Sequence, residues 1–283
     1  MILLTGATGK TGGETAKQLV EKGASLRALV RDEAKAADLK AAGVELVVGD
    51  MSDADSVKQA LDGAEKAFML MPNGKQQLAN EKQFTELAVA AGVKHLVKMS
   101  SMEAVADAET PIPQAHWASE EYIRASGLDW TMVKPNFFMQ NLLASAGSIK
   151  EQRKFFLPMG DGTTGMADVR DIGAFCAEVL TGEGHARQSY EITGPEVLSF
   201  YDVADRFSEV LGEKVEYVPM PMEQFRERMS GILEPWHLNA VCELFREIAE
   251  IGLDHTTSTF KALIGRDPIS LKKFIEDNVA IFK

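Results

Sequence analysis

The first half of the chain alternates short apolar runs with longer amphipathic stretches. The runs are largely apolar throughout rather than at every second position, which is typical of parallel strands covered on both faces. Repeated strand–helix–strand units of this kind predict an α/β fold with a doubly wound parallel sheet. The predicted strands are Ile2–Thr5, Leu26–Val30, Val44–Val48, Ala67–Leu70, His95–Met99 and Trp130–Val133.

The ends of the predicted helices are marked by particular residues. Each of five helices is followed by a glycine, which tolerates the left-handed conformation that closes a helix. These glycines are Gly23, Gly43, Gly63, Gly92 and Gly127. Ser52 is expected to be the N-cap of one helix, with Asp55 as the acidic partner of a capping box.

The rhythm changes after Val133, where helical stretches dominate. Helices are predicted at Phe138–Gln152, Asp171–Leu180, Ser199–Leu211, Gln224–Met229 and Trp236–Ile251, with short strands at Tyr190–Thr193 and Val215–Val218. We therefore expect a first domain over residues 1–134 and a smaller α/β C-terminal lobe over residues 135–283. Some strands and helices of this lobe are expected to return to the first sheet, and the lobe to cover a bound ligand.

Composition narrows the functional classes. The 283 residues are 45% hydrophobic and carry a formal net charge of -12, which argues against a nucleic acid as partner. The first residues predict a strand and lack the basic region, long apolar core and cleavage site of a signal peptide. No stretch approaches the roughly 18 apolar residues of a membrane span. Only Cys176 and Cys242 are present, without metal-ligand spacing. We expect a cytoplasmic protein that binds no metal and that can form a homo-oligomer.

The strongest motif follows the first strand directly and reads TGATGKTGG. Gly6, Gly9 and Gly12 occur at the first strand–helix junction, where the first permits the turn and the second lets a diphosphate approach. The third lets the helix pack closely. This context predicts a Rossmann dinucleotide site that includes Thr8, Lys10 and Thr11. A purely structural glycine turn is the alternative.

Arg31 ends the second strand, where an acidic residue would bind the ribose of NAD(H). A guanidinium instead offers charge-assisted hydrogen bonds to a 2′-phosphate, which favours NADP(H) over NAD(H). Asp32 is either a shifted ribose ligand or, the preferred interpretation, a cap for the next helix. Asp50 and Met51, after the third strand, are expected to flank the adenine. Met71 is expected to contact the cofactor from the end of the fourth strand.

Several segments together resemble a known family. They are TGATGKTGG, Arg31, Gly49–Asp50, SGLDWTMVKP (Ser126–Pro135), DVRDIG (Asp168–Gly173) and Ile192–Gly212. The combination resembles the NmrA-like atypical short-chain dehydrogenases/reductases over nearly the whole chain. That family includes NAD(P)H:quinone oxidoreductases, triphenylmethane dye reductases and non-catalytic NADP-sensing regulators. The resemblance implies an NADP-binding domain and a pocket under the C-terminal lobe.

The chain departs from ordinary short-chain dehydrogenases, which use a Tyr-x-x-x-Lys pair as proton donor. None of its four tyrosines has a lysine four residues later. His116 and Glu120 occur instead, on one face of a predicted helix. His116 is expected either to orient a carbonyl or relay a proton, with Glu120 fixing its tautomer, or to serve only as a structural tie.

Other candidate site residues follow the fifth and sixth strands, at the edge where such sheets bind ligands. Ser100 is expected to touch the nicotinamide ribose, with strand-end capping as the alternative. The nicotinamide is expected to be lined by Lys134, Pro135, Asn136 and Phe137. The acceptor pocket is expected to include Phe138, Met139, Asn141, Met229 and Trp236, although ordinary core packing is the alternative for the last two.

These observations predict an NAD(P)H-dependent reductase. Without a tyrosine acid, hydride transfer to a quinone or a similar small conjugated electrophile is the favoured reaction, because water can protonate the resulting anion. The main alternative is a non-catalytic NADP(H)-sensing regulator of the NmrA type. A sugar-nucleotide epimerase or dehydratase is disfavoured by the missing dyad.

Overall fold

The computed structural model describes all 283 residues, Met1–Lys283. Strands and helices alternate along the first half of the chain. In chain order they are β1 (Ile2–Thr5), α1 (Lys10–Glu21), β2 (Leu26–Val30), α2 (Ala37–Ala41), β3 (Glu45–Val48), α3 (Ala54–Leu61), β4 (Lys66–Met69), α4 (Gln77–Ala90), β5 (His95–Met99), α5 (Pro111–Ala125) and β6 (Asp129–Pro135). The six predicted strands are therefore all confirmed, with ends that differ by at most two residues.

The second half has shorter and more irregular elements. In chain order they are α6 (Ala146–Gln152), β7 (Lys154–Leu157), β8 (Thr163–Thr164), α7 (Val169–Thr181), β9 (Gln188–Ile192), β10 (Leu198–Ser199), α8 (Phe200–Leu211), β11 (Glu216–Pro219), α9 (Met222–Met229), α10 (Pro235–Ile251), α11 (Thr259–Ile264), α12 (Leu271–Asp277) and α13 (Val279–Phe282). None of the helices is both long enough and apolar enough to cross a bilayer.

Seven strands form one parallel sheet in the order β3-β2-β1-β4-β5-β6-β9. Strands β1, β2 and β5 are buried along their whole length, whereas edge strand β3 buries only Val47. The predicted doubly wound parallel sheet is confirmed. Chain order reverses between β1 and β4, and such a reversal opens a ligand crevice at the carboxyl ends of the strands.

The chain forms two compact units. The first consists of Met1–Glu109, Pro113–Lys134 and Val169–Glu191, and the second of Thr110–Ile112, Pro135–Asp168 and Ile192–Lys283. Within the first unit, α7 packs against α1. A Cβ atom at Gly173 would lie 2.7 Å from the Cβ of Glu14, so the two helices approach closely only because this residue is glycine.

The core of the second unit is rich in phenylalanine. Phe155, Phe200, Phe207 and Phe282 are buried together, and the rings of Phe207 and Phe282 lie edge to face at 4.8 Å. Strands β7 and β11 pair in parallel, while β8 and β10 form a short antiparallel pair. These small sheets give the unit its mixed α/β character.

The structure corrects some local predictions. Asp53, not Ser52, is the N-cap of α3, because its carboxylate accepts hydrogen bonds from the backbone of Asp55 and Ser56. Ser52 instead donates to Asp50. The predicted helix Phe138–Gln152 is a 3-10 helix over Met139–Ser145 followed by α6. Strands β7, β8 and β10 and helices α11 to α13 were not predicted.

Candidate cofactor and active site

The turn between β1 and α1 depends on its glycines. Gly6 has a φ of +67°, and a Cβ atom there would lie 2.9 Å from the carbonyl oxygen of Leu70. A Cβ atom at Gly12 would lie 2.1 Å from the carbonyl oxygen of Gly6, so a side chain would push the helix off the turn. Gly9 caps α1 without a side chain, and the first turn has no acidic residue. The N-terminus of α1 therefore suits an anion such as a dinucleotide diphosphate.

Thr5 holds this turn against the end of β4, a role that the sequence analysis missed. Its hydroxyl lies 2.9 Å from the carbonyl oxygen of Leu70 and accepts a 2.8 Å hydrogen bond from the amide of Leu70. The residues after β4 therefore start directly beside the glycine turn, at the point where strand order reverses. A buried threonine ending an apolar strand was the available signal.

Arg31 and Asp50 come together at the carboxyl ends of β2 and β3. Arg31 is exposed, and Asp50 accepts hydrogen bonds of 2.9 and 2.6 Å from the backbone and hydroxyl of Ser52. These hydrogen bonds, helped by the charge of Arg31, hold the pKa of Asp50 below its usual value. Asp32 accepts a 2.9 Å hydrogen bond from the backbone of Ala34 in an Asx turn, but the N-cap of the 3-10 helix Ala34–Ala36 is Glu33, so the expected capping role of Asp32 is wrong.

The other predicted nucleotide-binding residues of the first unit differ in burial. Thr8 and Lys10 are exposed, Met51 and Met71 are half-buried, and Thr11 and Lys134 are buried. The Nζ of Lys134 donates a 2.6 Å hydrogen bond to the carbonyl oxygen of Ala104, which leaves its remaining donors for other partners.

Ser100 and Glu120 are joined directly. The Ser100 hydroxyl donates a 2.5 Å hydrogen bond to Oε1 of Glu120, a residue of α5 that is fully buried. The Nζ of Lys134 lies 3.6 Å from the same oxygen. Because the serine proton is directed at the carboxylate, the serine oxygen is available as an acceptor.

Arg124 holds the other oxygen of Glu120. Its guanidinium donates 2.7 Å hydrogen bonds to Oε2 of Glu120 and to Oε1 of Glu121. The same guanidinium lies 5.2 Å from the ring centroids of both Trp117 and Trp130. Stacking between two indoles restricts the arginine, so the carboxylate of Glu120 is fixed from both sides.

His116 belongs to a second polar cluster, formed by α4, β5 and α5. The Nζ of Lys98 lies 2.7 Å from Oε2 of Glu81 and 3.3 Å from Nδ1 of His116, and both charged side chains are essentially inaccessible. The Nε2 of His116 lies 3.1 Å from Oδ1 of Asn73. Burial, reinforced by the charges of Lys98 and Lys134, holds the pKa of His116 well below its usual value, so the ring is neutral.

The expected contact between Glu120 and His116 is wrong. The two residues share a face of α5, but Glu120 bonds to Ser100 and Arg124, whereas His116 bonds to Lys98 and Asn73. A spacing of four residues brings side chains to one face but does not make longer ones meet. Glu81, Lys98 and Asn73 were missed, although a lysine inside the buried run HLVKM was a visible signal.

Three of the four tyrosine hydroxyls are engaged elsewhere, and the ring of Tyr201 packs edge to face against Tyr217. Tyr122 donates to Glu86, Tyr190 lies 3.0 Å from Nδ1 of His185, and Tyr217 donates to the carbonyl oxygen of Leu157. The polar clusters therefore work without a tyrosine. No group of three or more His, Cys, Asp or Glu side chains is arranged to hold a metal ion.

The predicted pocket residues of the second unit have partners within that unit. Oδ1 of Asn136 accepts 2.6 Å hydrogen bonds from the Phe137 amide and from the Thr164 hydroxyl. The ring of Phe137 packs against Phe200 and Phe245 at 6.1 and 6.2 Å. Pro135 and Met139 are buried, Phe138, Met229 and Trp236 are half-buried, and Asn141 is exposed.

A nicotinamide dinucleotide fits the residues that are present. The turn has no room for side chains at Gly6 and Gly12 and offers an open helix N-terminus. Four buried polar atoms have no hydrogen-bond partner: Oε1 of Gln77, Nε2 of Gln83 and the hydroxyls of Ser101 and Ser119. Buried polar atoms without partners are uncommon, and either an ordered water or a ligand can complete their hydrogen bonding.

The sheet order and the glycine turn define a dinucleotide-binding Rossmann protein. A model of the NmrA-like family matches residues 1–274. The chain is 36% identical, over its whole length and 99% of the relative, to an NAD(P)H azoreductase of Xenophilus azovorans. It belongs to the NmrA-like family, which confirms the resemblance seen in the sequence.

Solved structures agree with this assignment. An NADPH-dependent quinone oxidoreductase of Escherichia coli, in complex with NADPH, superposes with a TM-score of 0.89 at 26% identity, covering 99% of this chain and 100% of that one. The triphenylmethane reductase of a Citrobacter species superposes with a TM-score of 0.85 at 26% identity, covering 99% of each chain.

Proposed function

We propose that this protein is an NAD(P)H-dependent oxidoreductase that transfers hydride to a quinone or a similar conjugated electrophile. The observation that carries the proposal is the open N-terminus of α1 beside buried polar clusters at the same sheet edge. The similarity to an azoreductase and to a quinone oxidoreductase supports this class of acceptor.

NADPH is the preferred reductant in this proposal. Arg31 is exposed after β2, whereas the carboxylate of Asp32 is engaged with the Ala34 amide. A guanidinium at this strand end can bind a 2′-phosphate by charge-assisted hydrogen bonds, which contribute about 1.5–3 kcal/mol each. The adenosine half of the cofactor would lie over Arg31, Asp50 and Met51.

The proposed reaction does not require a side chain of the protein to act as a general acid or base. A bound reduced nicotinamide would supply the hydride; a neutral quinone would then become an anion that solvent protonates, whereas a cationic dye would become neutral directly. The residues at the sheet edge orient the reactants and exclude water from them. Ser100, whose own proton points to Glu120, would accept a hydrogen bond from a ribose hydroxyl and so fix the nicotinamide end.

The cofactor preference is tested with Arg31→Ala. We expect the kcat/KM for NADPH to fall about 10–100-fold while that for NADH changes little, because only the phosphate contact is lost. Arg187→Ala is the matched control, since Arg187 is an exposed arginine at the opposite end of the sheet. Equal kcat/KM values for the two cofactors in the wild type would overturn the preference.

The reaction itself is tested by following the absorbance of NADPH with quinones, azo dyes and triarylmethane dyes as acceptors. Turnover of any of these supports the proposal. The alternative is an NADP(H)-sensing regulator, which is favoured by one observation: Glu120 and His116 have protein partners for their polar atoms. Tight binding of NADPH without turnover of any acceptor would establish the regulator instead.

A further inference from the structure

The ion pair between Lys98 and Glu81 needs an explanation beyond stability. Its atoms lie 2.7 Å apart, and the side chains are 0% and 1% exposed. Removing two charges from water costs several kcal/mol per ion, so apolar side chains of similar size would stabilise this position at least as well. The pair is therefore expected to orient something that an apolar pair would leave loose.

His116 is what the pair contacts. An ammonium group has only donors, so the Nζ of Lys98, 3.3 Å from Nδ1 of His116, requires that this nitrogen accept. The neutral ring then carries its proton on Nε2, which donates to Oδ1 of Asn73 at 3.1 Å. The side-chain amide of Gln77 is a second donor to this nitrogen, because its Nε2 lies 3.3 Å from Nδ1 of His116 and donates to Oε1 of Glu81 at 3.3 Å. Glu81 therefore fixes both donors, Lys98 and Gln77. These donors select the tautomer of His116, and the tautomer determines which bond His116 offers to Asn73.

Asn73 lies in the middle of the segment 70–76, which links β4 to α4 without regular structure. One end of this segment is tied to β1 by the hydrogen bonds between Thr5 and Leu70. Gly6 lies against that same end, because a Cβ atom at Gly6 would be 2.9 Å from the Leu70 carbonyl oxygen. The segment therefore borders the glycine turn, and His116 holds its middle.

We infer that Lys98 and Glu81 are positioning residues that lock His116 in its Nε2–H tautomer and thereby hold segment 70–76 in place for the cofactor. The charged groups around His116 are Lys98, Glu81 and Lys134, and its neutral partners are Asn73 and Gln77. The inference rests on the proposed function only in naming the nicotinamide cofactor as the ligand that benefits.

The test replaces both members of the pair, as Lys98→Met with Glu81→Leu, so that no unpaired charge is left buried. The first readout is the ¹⁵N chemical shifts of the His116 ring, assigned with His116→Gln, in the protein without nucleotide. We expect one tautomer in the wild type and a mixture in the double variant. The second is the Kd for NADPH by calorimetry, which we expect to rise about tenfold, equivalent to one lost hydrogen bond.

Arg27→Met is the matched control. Arg27 is another buried cation, paired at 2.9 Å with Glu45 and bonded to the carbonyl oxygens of Ala60 and Asp62. The substitution Arg27→Met is expected to lower stability without changing the His116 tautomer or the Kd for NADPH. Lys98→Arg, which keeps the charge, is expected to retain a single tautomer.

The outcomes separate the two proposals. An unchanged tautomer or an unchanged Kd in the double variant overturns the positioning role, whatever the wild type does with acceptors. A wild type that binds NADPH but reduces no acceptor overturns the proposed reaction and leaves the positioning role to be decided by the same two readouts. A wild type without NADPH affinity overturns both the reaction and the role of segment 70–76 in cofactor binding.

Discussion

Strand β5 has a buried histidine cluster near each of its ends. At the amino end, Nε2 of His95 lies 2.8 Å from the Thr131 hydroxyl, which donates to the carbonyl oxygen of His185 at 2.6 Å. Burial, with a smaller effect of Lys66, lowers the pKa of His95 to about 4. His116, near the carboxyl end, is neutral for the same main reason, burial. The lowered pKa values alone do not distinguish the two histidines.

The partners distinguish them. The direct partner of His95 is the Thr131 hydroxyl, which in turn donates to the backbone carbonyl oxygen of His185. His116 faces a charged lysine and a loop asparagine. Oε1 of Gln77 and the hydroxyl of Ser119 are buried without any hydrogen-bond partner. A buried histidine with a lowered pKa is therefore not evidence of a site. A site is indicated instead by the combination of three features: a position at the carboxyl ends of the strands, charged partners and incomplete hydrogen bonding.

Glycine substitutions should show the largest contrast between the two edges. Gly12→Val places a side chain where a Cβ atom already lies 2.1 Å from the Gly6 carbonyl oxygen. We expect the thermal stabilisation by NADPH, about 2.7 kcal/mol at 100 times Kd in the wild type, to disappear. Gly92→Ala, at a helix end with a φ of +75° and nothing within 4 Å, should lower stability by about 1 kcal/mol and leave the NADPH effect intact. A full NADPH shift in Gly12→Val would contradict the site.

Loss of one carboxylate charge should have the next largest effect. Glu120→Gln keeps the size of the side chain but weakens its hold on Ser100 and Arg124. We expect kcat/KM with NADPH and a quinone to fall about 10–100-fold, since each charge-assisted hydrogen bond contributes about 1.5–3 kcal/mol. Thr131→Val removes a buried hydroxyl at the amino edge and should leave kcat/KM unchanged. If steady-state kinetics showed the same loss of kcat/KM for Glu120→Gln and Thr131→Val, the two ends of the strands would not differ in function.

Stability as a function of pH should show the smallest contrast. The pKa of His95 is about 4 in the folded protein, below its ordinary value of 6.5, so the unfolded chain takes up a proton first as the pH falls. His95 therefore contributes stability that is present above pH 6.5 and lost towards pH 4, with a slope of at most about 1.4 kcal/mol per pH unit.

His95→Gln and His116→Gln should both flatten this loss, because the pKa of each histidine is lowered in the folded state. Denaturant unfolding between pH 4 and 7 measures the slope for each variant, and calorimetry at pH 7 measures the Kd for NADPH. Only His116→Gln should raise that Kd. A change in Kd with His95→Gln as well would break the comparison.

The sequence predicted what repeats along the chain. Strands such as Leu26–Val30 and His95–Met99 were located to the residue, because continuous apolar runs between glycine-ended helices leave little choice of boundary. The glycine turn was predicted for the same reason, since its spacing is local. Strands β8 and β10 were missed because two residues are too few to carry a pattern.

Side-chain partners far apart in the chain were beyond the sequence. His116 and Glu120 were identified as chemically unusual, but their partners are Lys98, in β5, and Ser100, directly after it, about 20 residues earlier in the chain. Which of two neighbouring side chains on one helix face reaches which strand residue depends on side-chain length and direction. The periodicity of the sequence gives no information on side-chain length or direction.

The stacking of Arg124 between Trp117 and Trp130 gives the protein an internal optical reporter. The chain has three tryptophans, and two of them contact the guanidinium that also holds Glu120. Indole emission responds to nearby charge, so a rearrangement of Glu120 when a nucleotide arrives should change the intrinsic fluorescence without any added dye. Trp117→Phe and Trp130→Phe would divide that signal between its two sources.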